Sequence, residues 1–168
     1  MNEIKTNNNL HIEGFFDEQT STISYVVHDN IEKKCAVIDS VLDFDYSSGD
    51  IDYVNADKII SYIERNKLNV EWLIETHVHA DHLSASPYIQ KKLGGKIGIS
   101  EKISDIQNIF GKTFNAGTEF QRDGSQFDKL LKDNDEYKIG NINCKVINTP
   151  GHTPACTAHV IENSIFVG

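Results

Sequence analysis

Hydrophobic residues fall into short runs along this chain, and their spacing predicts alternating strands and helices. Residues 23–27 carry Ile23, Tyr25, Val26 and Val27, and residues 35–38 carry Cys35, Val37 and Ile38. Both runs are rich in β-branched and aromatic side chains, with turn-forming Asp29 and Asn30 between them. They predict an antiparallel hairpin. Ile59, Ile60 and Ile63 then recur at helical spacing, which predicts a helix capped by Asn55 and running to about Lys67. A strand follows over 70–74. Ser86 before Pro87 marks a helix start, with Gly94 and Gly95 as its stop. Residues 96–99 form the next strand, and Ile103, Ile106, Ile109 and Phe110 a short helix ending at Gly111.

The stretch 112–136 is polar and gapped, apart from Phe127, Leu130 and Leu131, and is expected to form a structured insertion over the functional site. Two hairpins close the pattern: 137–139 with 142–147 around Gly140 and Asn141, and 157–161 with 165–167 around Glu162 and Asn163. No internal repeat or linker divides residues 1–168, so a single domain is expected, with residues 1–9 as a disordered, polar lead.

Composition narrows the function. The chain has 168 residues, 39% hydrophobic content and a formal net charge of −9. It is long enough to bury roughly two-thirds of its unfolded surface in one core. Its basic residues are dispersed, the longest runs being pairs such as Lys33 with Lys34, which argues against the phosphate backbone of a nucleic acid as partner. No stretch approaches the roughly 18 apolar residues of a membrane span. The N-terminus has no apolar signal region, and the three cysteines, Cys35, Cys144 and Cys156, form no Cys-x-x-Cys pair. A reducing, cytoplasmic setting is expected.

The chemistry lies between 77 and 82. His77, His79, Asp81 and His82 put three imidazoles and a carboxylate within six positions, directly after the strand ending at Ile74. Such crowding of metal-type ligands calls for a bound cation. The spacing is not that of a helical pair at i and i+4. About 70 residues on, the rigid turn of Thr149, Pro150, Gly151, His152, Thr153 and Pro154 presents one more histidine. Four of the seven histidines fall in these two segments, too many to read as chance polar loop residues.

Together the two segments resemble the metallo-β-lactamase superfamily. Residues 21–28, 38–45, 74–88 and 120–128 further resemble one branch of it, the persulfide dioxygenases and β-lactamase hydrolase-like proteins, neighbours of glyoxalase II. This resemblance covers residues 10–168. It implies an α/β (α+β) αββα sandwich and a non-haem iron enzyme that oxidises glutathione persulfide to sulfite and glutathione with O₂. Carried over position by position, His77 and His152 would hold Fe(2+), while His79, Asp81 and His82 would stand behind them and hydrogen-bond bound oxygen. The alternative implied by the same superfamily is a Zn(2+) or mixed-metal hydrolase of glutathione thioesters or lactams. There His77, His79 and His152 hold one ion, and Asp81 and His82 help to hold a second.

In the family, the strand matching 164–168 is followed at once by an Asp metal ligand, then by further strands, helices and a final histidine. Ending at Gly168, the sequence is therefore expected to give a sandwich incomplete at its C-terminus. A truncated, catalytically silent fragment is accordingly a third reading, and an unfinished sheet edge would favour homodimerisation. The expected partner is a small thiol or persulfide derived from glutathione, with neither nucleic acid nor membrane. Elsewhere, the aspartates at 39, 43, 45, 50 and 52 miss the register of a calcium loop. They read as a solvated loop, with Asp39 bracing the histidine loop. Cys156 reads as packing rather than a substrate contact, and His11, His28 and His159 as structural or exposed. Tyr88 is equally consistent with a substrate contact and with helix packing.

Overall fold

A computed structural model describes residues 9–167. The expected disorder of residues 1–9 therefore concerns residues almost wholly outside those described. The exception is Asn9, whose carbonyl accepts the Asn30 N–H at 2.7 Å. The central sheet has six strands in the order β1-β2-β3-β6-β8-β9. Strands β1 (Leu10–Asp17), β2 (Thr22–Asp29) and β3 (Lys34–Ile38) are antiparallel, giving the expected hairpin plus a strand before it. From β3 the sheet turns parallel through β6 (Asn69–Ile74), β8 (Lys96–Ser100) and β9 (Lys129–Leu131). Four strands thus end on the same edge.

Alternation along these strands feeds two cores. Val26, Cys35, Val37 and Leu73 face α1 (Val54–Arg65) and α2 (Ser86–Leu93), meeting Ile59, Ile60, Ile63 and Ile89. Each of those buried isoleucines contributes roughly 2 kcal/mol by area. Val27, Ala36, Ile38 and Ile74 point the other way, into a second sheet. That sheet is the antiparallel meander β10 (Glu136–Ile139), β11 (Ile142–Asn148), β12 (Thr157–Ile161) and β13 (Ser164–Val167). Its first turn is tied to the central sheet by Gly140 N–H to Glu71, Asn141 N–H to Asp29 and Trp72 Nε1–H to the Lys138 carbonyl, each 2.9 Å. Helices over one face and a sheet over the other are the helix, sheet and sheet layers of the expected sandwich. A small sheet, β5 (Ile51–Asp52), β4 (Val41–Phe44) and β7 (Leu83–Ser84), borders the site. No helix among the described residues is long and apolar enough to cross a membrane.

Three boundaries differ from expectation. Asn55 lies inside α1, whose N-cap is Tyr53 with no side-chain cap. Asp43 of β4 instead accepts the Asn55 backbone N–H at 2.9 Å, so the cap comes from another element. Helix α3 (Ile103–Thr113) runs past Gly111 and is capped at Phe114. Arg122 lies where a side chain at 111 would stand and donates to the carbonyls of Gly111 and Ala116, both at 3.0 Å. Finally, 112–136 is not simply a cover over the site. Its end is β9, which extends the central sheet and buries Leu131 in the core between the sheets.

Candidate metal centre

The site forms where β3 and β6 end side by side. Asp39 follows β3 with φ +48°, a left-handed conformation that costs a non-glycine residue of order 1 kcal/mol. Its carboxylate accepts the Thr76 N–H at 2.8 Å and the Thr76 hydroxyl at 2.7 Å. Burial alone would lift the Asp39 carboxyl, but hydrogen bonds from His79 and Thr76 hold it below the usual carboxylate range. The expected brace is thus in place.

That brace sets the chemistry of His77. Because the Thr76 hydroxyl gives its proton to Asp39, it accepts from His77 Nδ1 at 2.9 Å, leaving Nε2 as the lone-pair nitrogen. Burial, with the neighbouring His79, pushes the His77 pKa down. The ring is held neutral, as a metal ligand must be.

His79 is held from two sides. Its Nε2 lies 3.2 Å from Asp39 and 3.0 Å from Glu75, so Nδ1 is its uncommitted nitrogen. Burial disfavours the cation, yet the two carboxylates outweigh it and lift the pKa to about 10. The other Glu75 oxygen accepts the hydroxyls of Ser84 and Ser86, both at 2.5 Å. His82 donates through Nδ1 to the Leu83 carbonyl at 3.0 Å, and its buried Nε2 has no partner. Asp81 is exposed, with the Thr22 hydroxyl 3.5 Å from its carboxylate and the Tyr46 hydroxyl 3.0 Å from its carbonyl.

The second segment arrives from the meander. In the 149–156 turn, Thr149 N–H donates to the Cys156 carbonyl and Thr153 N–H to Cys156 Sγ, at 3.0 and 3.1 Å. Cys156 is buried within that turn, as expected. Thr157 then gives both its N–H and its hydroxyl to the Thr76 carbonyl, each at 2.9 Å, joining the two segments. His152 comes to rest edge-on to His77 with ring centroids 5.0 Å apart. His79 lies 4.3 Å from His77 and stacks on His82 at 4.1 Å.

All five sequence-predicted residues, His77, His79, Asp81, His82 and His152, therefore line one open cleft of about 580 Å³. Within it, ligand atoms of His79, Asp81 and His82 lie within 4.8 Å of one another. An apolar groove of about 330 Å³ runs alongside, walled by Val78, Leu83, Pro87, Ile97, Ile99 and Phe127. Phe127 and Gln126 are the part of 112–136 that reaches it. Two lone-pair nitrogens, on His77 and on the unpartnered His82, among further nitrogen and carboxylate donors suit a divalent cation.

Sequence reasoning missed Glu75, Ser84, Ser86 and Thr157. Glu75 alone left a signal, as a carboxylate at the end of an apolar strand. Tyr88 lies away from the cleft, stacked on Tyr53 and donating to Asp57 at 2.8 Å. His28 bonds Tyr62 and His159 bonds Tyr137 and Thr157, so both are structural, while His11 is part-exposed beside Glu13.

Comparison with known proteins agrees with this geometry. The family model of the metallo-beta-lactamase superfamily matches residues 18–168. A probable metallo-hydrolase of Burkholderia pseudomallei is 49% identical over 92% of this chain and 53% of its own. Glyoxylase B2 of Dictyostelium discoideum is 43% identical over 96% of this chain and 56% of its own. Human mitochondrial persulfide dioxygenase ETHE1 is more distant, 23% identical over 88% of this chain and 46% of its own. The chain thus spans about half the length of these relatives. Among solved structures, ETHE1 from Myxococcus xanthus superposes with a TM-score of 0.70 at 22% identity, covering 94% of this chain and 56% of that one.

Proposed function

The chain belongs to the metallo-β-lactamase superfamily, and from that premise we propose that it is the metal-holding part of a persulfide dioxygenase. In this reading His77 and His152 hold Fe(II), and the substrate is a glutathione-derived persulfide. When bound, the iron would supply adjacent open positions for sulfur and O₂. The carrying observation is the division of labour among the histidines. His79 has one nitrogen committed to two buried carboxylates, whereas His77 and His152 meet from opposite sheets across the open cleft. Asp39, through Thr76, fixes the His77 tautomer. In this reading Asp81 and His82 would hydrogen-bond an oxygen substrate, and the apolar groove lined by Val78, Leu83 and Phe127 would offer the sulfur substrate a low-polarity wall. Similarity to the human persulfide dioxygenase across most of the chain supports this reading.

A second reading rests on a different observation, the convergence of His79, Asp81 and His82. That trio suits a two-metal hydrolase in which a metal-activated water attacks a thioester or lactam. Similarity to a probable metallo-hydrolase and to a glyoxylase B2 supports it. Metal analysis paired with two assays separates the readings. Oxygen uptake on adding glutathione persulfide, with about one iron per chain, is the expected result. Thioester cleavage under nitrogen, with about two zinc ions per chain and no persulfide-dependent oxygen uptake, would overturn the dioxygenase.

A further inference from the structure

Glu75 stands out as a buried carboxyl group behind the cleft. It is 4% exposed, and Asp39 beside it is 7% exposed. Both carboxylates aim at one ring nitrogen, His79 Nε2, at 3.0 and 3.2 Å. Asp39 is already occupied by the backbone and hydroxyl donors of Thr76. Among the described residues, no lysine or arginine lines the cleft or the groove. Two buried carboxylates thus share a single imidazole N–H. Such a pairing is costly unless a further cation compensates it. The fold nonetheless holds Glu75 firmly, since the hydroxyls of Ser84 and Ser86 both close on its second oxygen and Ser86 is itself 3.2 Å from the Ser40 hydroxyl.

We infer that Glu75 is a positioning residue for the bound metal. It grips His79 Nε2 opposite Asp39, which fixes the plane of the ring stacked on His82 and beside His77, and it supplies buried negative charge that a divalent cation balances. Ser84 at the end of β7 and Ser86 at the start of α2 set Glu75 in turn. The inference rests on the proposal that the cleft binds a divalent metal, but not on which reaction follows.

Glu75→Gln isolates the effect. The amide keeps the shape, and its oxygen can still accept from Ser84 and Ser86. Its NH₂ group then meets His79 Nε2–H donor to donor, and the negative charge is gone. Zn(II) affinity is measured by chelator competition on wild type and variant, with thermal unfolding of the metal-free proteins and the visible spectrum of the Co(II) forms alongside. The expected result is a tenfold to hundredfold weaker Kd. It should come with an altered Co(II) spectrum and little change in metal-free unfolding temperature. The Ser84→Ala/Ser86→Ala double variant loosens Glu75 without removing charge. It should shift Kd the same way by a smaller factor, and it decides the matter if Glu75→Gln does not fold. Wild-type protein that binds no Zn(II) or Co(II) overturns the metal proposal and this inference together. Wild type that binds, with Kd and spectrum unmoved in the variants, overturns the role of Glu75 alone.

Discussion

A single proton placement organises the ligand loop. The Thr76 hydroxyl cannot donate to both Asp39 and His77, and its 2.7 Å bond to Asp39 settles the matter. His77 must donate through Nδ1 and keep Nε2 free. This makes the histidines unequal, so substitutions should be unequal too. With one iron held by His77 and His152, replacing either with Ala should abolish metal retention after dialysis. His79→Ala should keep most of the metal and slow turnover by on the order of tenfold or more, through lost support for its neighbours. Elemental analysis with steady-state assay reads both. Metal lost in proportion from His79→Ala would instead place that residue among the ligands and favour the two-metal hydrolase.

At the scale of elements, α1 shows how a helix start can be set from outside its own sequence. Asp43 accepts the Asn55 backbone N–H and, with Asp17, the Asn55 side-chain amide at 2.6 and 2.8 Å. Asp43→Ala should therefore cost about 1–2 kcal/mol, as loss of an N-cap does, read as a lower urea midpoint at unchanged slope. A midpoint within error of wild type would mean water replaces the cap without loss. The same non-local supply explains what could be read from the sequence. Hairpins and helix stripes were legible because β-branched runs and isoleucine spacing are local signals. Strand β1 was missed because Glu13 and Gly14 interrupt its apolar residues and it lies at the sheet edge, its pairing supplied by β2. Strand β9 is three residues long, and α3 passes Gly111 where Arg122, from outside the helix, fills the space beside it and bonds its carbonyl. The five cleft residues were legible because their motifs are contiguous. Glu75 showed only as a carboxylate at a strand end, since its partners Ser84 and Ser86 meet it only after the loop has folded.

For the whole molecule, the buried network behind the cleft links stability to pH. His159 is fully buried between Tyr137 and Thr157, and burial pushes its pKa down from 6.5 to about 4. The unfolded chain therefore takes up a proton that the folded chain refuses. The contribution of this buried neutral ring is complete above about pH 6.5 and is lost as pH drops from there toward 4. The shift is worth about 3 kcal/mol at its limit. Urea midpoints measured from pH 7 to 4 should fall, and the fall should be shallower in His159→Gln. An equal slope in wild type and variant would assign the acid sensitivity elsewhere.

Among the described residues the meander is fastened to the central sheet by few polar ties, at Glu71, Asp29, Glu32, Trp72 and the Thr76 carbonyl, around one apolar interface. It also carries His152, while His77 belongs to the other sheet. A metal bridging the two histidines therefore acts as a clasp across a seam, and opening the seam must release the ion. Units that open separately show it in amide hydrogen exchange. A ligand at a hundred times its Kd adds about 2.7 kcal/mol against such an opening, close to a hundredfold slower exchange. That slowing should fall on amides of β11 and β12, with β2 and β3 nearly unchanged. Equal slowing in both sheets would mean that the seam does not open by itself and that the molecule holds or releases its metal as one cooperative body.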